Sequence, residues 1–213
     1  MDFFLAQSAI DGLLLEDSLI RCAAALLIIH SHSMLTKRLE LELLTPEHAK
    51  ALFCGLSDER LYTFIDAKPP VSLAALRQRY ETLATRRSPD GLETWLNWAV
   101  RTLRSRKYIG YVQATVRKDG WADVAYVLFY DSWGKGYGKE AVTAMLQELK
   151  KTYSVSNFRA LVNPHNRRSK GLLQSLAFEL SAKSHPARLT KTQDLEYVLP
   201  KVGETHPVKW AKK

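Results

Sequence analysis

Six residues, Trp133-Gly134-Lys135-Gly136-Tyr137-Gly138, separate a strand-like run at Ala122 to Tyr130 from an amphipathic stretch opening at Lys139-Glu140-Ala141. Glycine reaches positive φ without the clash that a Cβ brings. A strand–glycine loop–helix unit therefore turns backbone N–H groups inward at the positive end of a helix dipole. Such a loop suits an anion, and a pyrophosphate in particular; the plain alternative is a turn that only redirects the chain. Two common phosphate-binding patterns fail here. A Walker A loop needs Ser or Thr after its Gly-Lys, whereas Glu140 follows Gly138-Lys139 and Trp133 stands at the upstream glycine position. A dinucleotide fingerprint begun at Gly134 needs glycine at 139, which is Lys139.

The rest of the chain supplies the strands and helices around that loop. Leu39, Leu41 and Leu43 alternate with Glu40 and Glu42, the period of a half-buried strand. Thr45-Pro46-Glu47-His48 reads as a helix start with Thr45 as cap, and the helix is expected to end at Cys54, before Gly55. Asp66 to Pro70 breaks the chain, and Ser72 caps a second helix with Leu73, Leu76, Tyr80 and Leu83 on one face. Three strands are expected at Thr94–Leu103, Tyr108–Val116 and Ala122–Tyr130, with Lys118-Asp119-Gly120 as a tight hairpin. After the loop, a helix runs from about Lys139 to Lys151 with Ala141, Val142, Met145, Leu146 and Leu149 as its apolar stripe. A strand at Phe158–Val162, a helix from about Asn166 to Leu176 and strands near Phe178–His185 and Leu195–Leu199 complete the pattern.

Composition sets the class. Of 213 residues 46% are hydrophobic and 25% charged, which fits a globular protein. Cys22 and Cys54 form no metal or CxxC spacing, so neither a disulfide framework nor a metal site is expected, and a reducing cytoplasm is the simplest location. The net charge is +9, yet residues 1–33 carry Asp2, Asp11, Glu16 and Asp17 against Arg21 alone. The basic excess thus belongs to the remainder, where it could attract nucleic acid, a ribosome or an anionic cofactor, or simply keep the surface solvated. The apolar run Leu19 to Ile29 is interrupted by Arg21 and is too short to span a membrane. Residues 1–33 read as an N-terminal extension, helical or not native, with Met34 as a candidate natural start. Residues 34–201 form the single domain, and 202–213 a basic tail.

The glycine run with the Glu140-Ala141 that follows resembles the GCN5-related N-acetyltransferase (GNAT) superfamily, whose signature is Q/R-x-x-G-x-G/A. Its WGKGYG form is similar to the branch holding ribosomal-protein-alanine N-acetyltransferases. The signature's first position falls on Asp131 or Trp133, a departure in either register. Further blocks are Arg38-Leu39-Glu40-Leu41, Ile109-Gly110, Asn166-Arg167-Arg168-Ser169 and Leu176-Ala177-Phe178, where Ala177 replaces a usual glycine. The resemblance implies an α/β (α+β) fold: a twisted, mixed, mostly antiparallel sheet with helices on both faces and a splay between two central strands. It further implies acetyl-CoA as cosubstrate and no metal. Val127, Leu128 and Phe129 would offer backbone groups to pantetheine. Trp133, Gly134, Lys135, Gly136, Tyr137 and Gly138 would hold the pyrophosphate, with Asn166 on pantetheine or on the substrate side.

Acyl transfer to an amine needs that amine neutral and the departing thiolate protonated. Asp123 is the candidate base, acting through water because it is one methylene shorter than the Glu common in relatives, with Glu93 as second choice. Either is as readily a solvated strand residue. Leu173 occupies the position where many relatives carry an acidic Tyr, so Ser169 is the candidate partner of the thiolate sulfur unless it only caps its helix. Tyr126 should face away from Asp123. Tyr62, Phe64, Trp95 and Trp98 are candidate walls of the acceptor pocket, or core; strand alternation allows at most one tryptophan to line it. His165 reads as an exposed loop residue. The function expected is acetyl transfer from acetyl-CoA to a primary amine of a small molecule or protein N-terminus, by a monomer or homodimer without membrane contact. The alternatives are a non-catalytic acyl-CoA-binding domain and a ribosome- or RNA-directed transferase.

Overall fold

Leucines at every second position of Leu39–Leu43 bury one face of a strand that pairs antiparallel with Glu93–Thr102, and from this pair the sheet grows outward. The computed structural model describes residues 33–181 and 194–200. The expected extension up to residue 32, the tail from 201 and the later part of the Phe178–His185 run lie outside the described residues. Eight strands form one sheet: β1 (Met34–Leu35), β2 (Leu39–Leu43), β3 (Glu93–Thr102), β4 (Tyr108–Arg117), β5 (Trp121–Leu128), β6 (Asn157–Val162), β7 (Glu179–Leu180) and β8 (Leu195–Leu199), ordered β1-β2-β3-β4-β5-β6-β8-β7. Every pairing is antiparallel except β5 with β6.

That parallel pairing is short. It covers only Trp121↔Asn157, Ala122↔Phe158 and Asp123↔Arg159, although β5 continues to Leu128 and β6 to Val162 against β8. The two central strands therefore part after Asp123 and Arg159, leaving one edge of Val124–Leu128 without a strand neighbour. Buried backbone groups seldom stay unpaired, so this opening is a break in the sheet that backbone pairing within the described residues leaves unfilled.

Helices cover both faces. The strand period sends Leu96, Trp98, Val112, Val124 and Leu128 to a core shared with α3 (Tyr137–Tyr153) and with Leu173 of α4 (Arg167–Ser175). Ala99 turns the other way, to a core made with α1 (His48–Leu56) and α2 (Leu73–Ala84). Ser72 caps α2 by accepting from the Ala75 N–H at 3.1 Å. Two expectations for α1 need correction. Thr45 does not cap it: its hydroxyl meets the His48 ring nitrogen at 3.0 Å, and the helix starts at His48. Nor does Gly55 end it, since α1 runs on to Leu56. A Cβ at Gly55 would lie 2.3 Å from the Phe129 ring, so the glycine serves a close approach of helix to sheet.

Ala177 shows what its replacement of glycine implies. It adopts φ 63° at the exit of α4, where the Phe178 N–H returns to the Leu173 carbonyl at 3.0 Å. Left-handed geometry costs a non-glycine residue about 1 kcal/mol. Ala177→Gly is therefore expected to raise stability by about that amount in urea titration, with an unchanged m-value.

Candidate active site

The loop after β5 is shaped by two left-handed glycines, Gly134 at φ 73° and Gly136 at φ 77°, and Gly136 is the N-cap of α3. No side chain caps this helix. Its first closing bond runs from the Glu140 N–H to the Gly136 carbonyl at 3.2 Å, so the N–H groups of Tyr137, Gly138 and Lys139 begin the helix without carbonyl partners inside it. Gly138 is buried, and a Cβ there would meet Leu172 at 2.5 Å, so its bareness brings α3 up against α4. Gly134, Lys135 and Gly136 are exposed.

Two residues far apart in sequence fasten the loop. Glu140 accepts from the Thr36 hydroxyl at 2.6 Å, the Arg38 N–H at 2.8 Å and the Arg38 Nε at 2.7 Å. Arg38 also donates to the Lys135 carbonyl at 2.9 Å and lies over the Tyr137 ring at 4.6 Å. Burial pushes the Glu140 carboxyl up, but the bonds from Thr36 and Arg38 outweigh it and leave the group below its ordinary value of 4.5. A carboxyl lowered on folding stabilises above its unfolded pKa and loses that effect as pH falls through its folded value. The melting-temperature gap between the wild type and Glu140→Gln is accordingly expected to close as pH drops from about 5 to about 3.

On the edge of β5, the Phe129 N–H points to β4, donating to the Ile109 carbonyl at 2.8 Å. Alternation turns the Leu128 backbone to the opposite side, toward the opening. Its carbonyl accepts from the Trp133 indole N–H at 2.7 Å, and Arg168 lies over the Trp133 ring at 4.5 Å. Of Val127–Phe129, then, Leu128 presents its backbone to the gap.

Across that gap stands α4. Asn166 caps it, its Oδ1 accepting from the Ser169 N–H at 3.0 Å. Ser169 is thus the capped residue and not the cap. Its hydroxyl lies 2.8 Å from the Tyr126 hydroxyl. Burial pushes the Tyr126 phenol up to about 12, with the Ser169 bond acting in the opposite sense. A phenol so raised keeps its proton at neutral pH and can donate it. Tyr126 and Asp123 do face opposite sides of β5.

Asp123 sits at the closed end of the splay. Its Oδ1 accepts from Arg159 Nε at 2.6 Å, and its Oδ2 accepts from Arg159 Nη2 at 3.0 Å and from Arg117 Nη2. Arg159 is 5% exposed and also pairs with Glu196 at 3.7 Å. Both Asp123 oxygens are therefore occupied in tying β4, β5 and β6 together. Glu93 accepts from the Trp95 indole at 3.1 Å.

On the α1/α2 face of the sheet lies a cavity of about 200 Å³, lined by Tyr62, Tyr80, Arg79, Asn97, Tyr111 and Gln113 among others. Tyr62 is the one proposed aromatic wall that lines it. Phe64 is exposed, Trp98 is buried in the opposite core and Trp95 packs outside the cavity. Sequence reasoning missed Asn97 and Gln113, although each is a polar residue inside an otherwise apolar strand, the one available signal. His165 is exposed. Among the described residues no cluster of metal-binding side chains occurs, and no helix is long and apolar enough to cross a membrane.

The loop, the splay and the order of strands can be set against known proteins. The acetyltransferase (GNAT) domain matches residues 38–179, about two thirds of the chain. The chain belongs to the GNAT acetyltransferase family. Solved GNAT-fold structures share its architecture at low identity. Ribosomal-protein-S5-alanine acetyltransferase from Vibrio fischeri is 18% identical with a TM-score of 0.65, over 83% of this chain and 100% of that one. A ribosomal L7/L12 α-N-protein acetyltransferase in complex with coenzyme A is 16% identical with a TM-score of 0.66, over 78% and 97%. A GNAT-family acetyltransferase from Bacillus anthracis is 16% identical with a TM-score of 0.61, over 78% and 96%. A search of curated protein sequences returned no match. Within this GNAT domain the glycine loop offers N–H groups at a helix start, and the splay an unpaired strand edge.

Proposed function

We propose that this GNAT protein transfers an acetyl group directly from acetyl-CoA to a primary amine, of a small molecule or of a protein N-terminus, in the cytoplasm. The supporting observation is a pair of openings served by one strand. Beyond Asp123 the edge of β5 opens beside the bare start of α3. On the other sheet face, Asn97, Gln113 and Ala125 form one cross-strand row leading from the cavity toward β5. Bound along that edge, acetyl-CoA supplies the thioester whose carbonyl carbon the amine attacks.

The chain's own groups take distinct parts. N–H groups of Gly134–Gly138 hold the pyrophosphate beside Trp133, whose own N–H is taken by the Tyr130 carbonyl at 3.1 Å, the Leu128 backbone aligns pantetheine between Val127 and Phe129, and Asn166 fixes the start of α4 beside it. Ser169, bonded to Tyr126, hands a proton to the departing thiolate. Asp123 acts on the amine through a water, since both its oxygens are engaged by Arg117 and Arg159. No nucleophilic side chain is needed for this direct transfer.

The test is release of CoA thiol from acetyl-CoA with a panel of amines and N-terminal peptides, beside thermal stabilisation by CoA. Stabilisation without turnover on any acceptor would favour a binding domain, and no stabilisation would sink the reading. An Asp123→Asn pH–rate profile identical to wild type would remove Asp123 as base.

A further inference from the structure

The cavity on the α1/α2 face has a one-sided charge. Lys68 and Arg79 line it and, among the described residues, no carboxylate does. The acids on that sheet face lie outside the cavity and have partners there: Asp123, which meets the amine end of the acceptor through a water, is held by Arg117 and Arg159, Glu93 accepts from the Trp95 indole, and Glu42 pairs with Arg101 and Tyr108. An alkylammonium finds no counter-ion there, whereas a carboxylate or similar small anion does.

Arg79 forms no ion pair among the described residues. Its guanidinium nonetheless acts on three phenols of the cavity. Burial raises Tyr62, Tyr80 and Tyr111, and Arg79 opposes the rise in each. One of the three is short of a partner. Tyr80 is 3% exposed and its hydroxyl makes no hydrogen bond, while the Tyr62 hydroxyl donates to the Leu56 carbonyl at 2.7 Å. A buried donor without an acceptor, in a cavity that also carries the exposed, unpaired guanidinium of Arg79, is a place for an anionic oxygen.

Distance completes the picture. Asn97, Gln113 and Ala125 are cross-strand partners in one row, and Ala125 is exposed. From the cavity floor to the open edge of β5 is two strand spacings, roughly 10 Å. We infer that the acceptor is a primary amine bearing an anionic group, long enough to bridge the roughly 10 Å between the cavity floor and the β5 edge, seated with that group against Arg79 and the Tyr80 hydroxyl. This rests on the N-acetyltransferase reading above and narrows its acceptor.

Three acceptors of equal length test it: 7-aminoheptanoate, heptylamine and 1,7-diaminoheptane, each assayed by thiol release from acetyl-CoA. The amino acid is expected to have a kcat/KM at least about 10-fold above the other two, expressed mainly in KM. Arg79→Gln and Tyr80→Phe should each bring the ratio of 7-aminoheptanoate to heptylamine toward one, with CoA stabilisation retained as evidence of folding. Equal use of the three, a preference for the diamine, or a ratio that survives both substitutions overturns the inference. If none of the three is acetylated, the transferase reading fails for these amines and the anion site is read separately. Stabilisation of the CoA-loaded protein by heptanedioate, lost in Arg79→Gln, would uphold it, and no stabilisation would overturn it.

Discussion

Gly136→Val is expected to weaken CoA binding about 100-fold, equivalent to about 2.7 kcal/mol, while leaving the fold intact. Gly136 holds φ 77° and ψ 1° at the N-cap of α3. A β-branched residue is a genuine outlier there, while its Cβ would only touch Arg38 Nη2 at 3.4 Å, so the strain lies in the backbone. The strain relaxes by rotating the residue out of the left-handed region, which swings the N–H groups of Tyr137, Gly138 and Lys139 away from a common centre. An anion at a helix start depends on that convergence. Gly91 provides a control: it too has positive φ, at 68°, with open space around its Cβ position, but it lies in the turn before β3. Calorimetric titration with CoA should show a large loss for Gly136→Val and none for Gly91→Val, at similar melting temperatures. An unchanged affinity in Gly136→Val would mean that the loop does not bind the pyrophosphate.

Gly110→Ala is expected to destabilise the protein strongly, by roughly 3 kcal/mol, or about 10 °C in melting temperature. Gly110 pairs with Val100 on one side and Leu128 on the other, and has φ 141°. A Cβ would lie 2.1 Å from the Val127 carbonyl oxygen and 2.8 Å from the Leu128 Cα. Both are backbone atoms of β5, so no rotamer change relieves the overlap. β5 must move, and it moves at the end that borders the splay proposed to take CoA. CoA affinity should fall together with stability, unlike in Gly136→Val. A melting temperature within about 2 °C of wild type would contradict so close an approach.

Much of this could be read from residue order, for physical reasons that differ by element. β2, β4, β5 and α3 bury one face each, so their periods of 2 and 3.6 stand out in the sequence. The glycine loop was legible because left-handed backbone excludes nearly every other residue. Gly55 was misread because its reason is the Phe129 ring, brought near only by tertiary structure. The partners of Asp123 were equally hidden: Arg159 is 36 residues away and reaches it only through the parallel pairing of β5 with β6. Tyr80 could be placed on the apolar face of a helix but not in a cavity, whose other phenols come from the segment before α2 and from β4. Local pattern thus locates the loop, while charge pairing and pocket composition depend on contacts between distant elements.

The contact between Arg38 and Glu140 also bears on the order in which the molecule acquires competence. Closing a segment of 102 residues costs roughly 4 kcal/mol in chain entropy, more than a few exposed hydrogen bonds return. The fastening can form only once β2 through β5 have brought its two ends together. A folding chain will accordingly display nearly all of its helix and strand before this fastening closes, and CoA capture by the proposed loop is expected to be a late marker of a finished sheet.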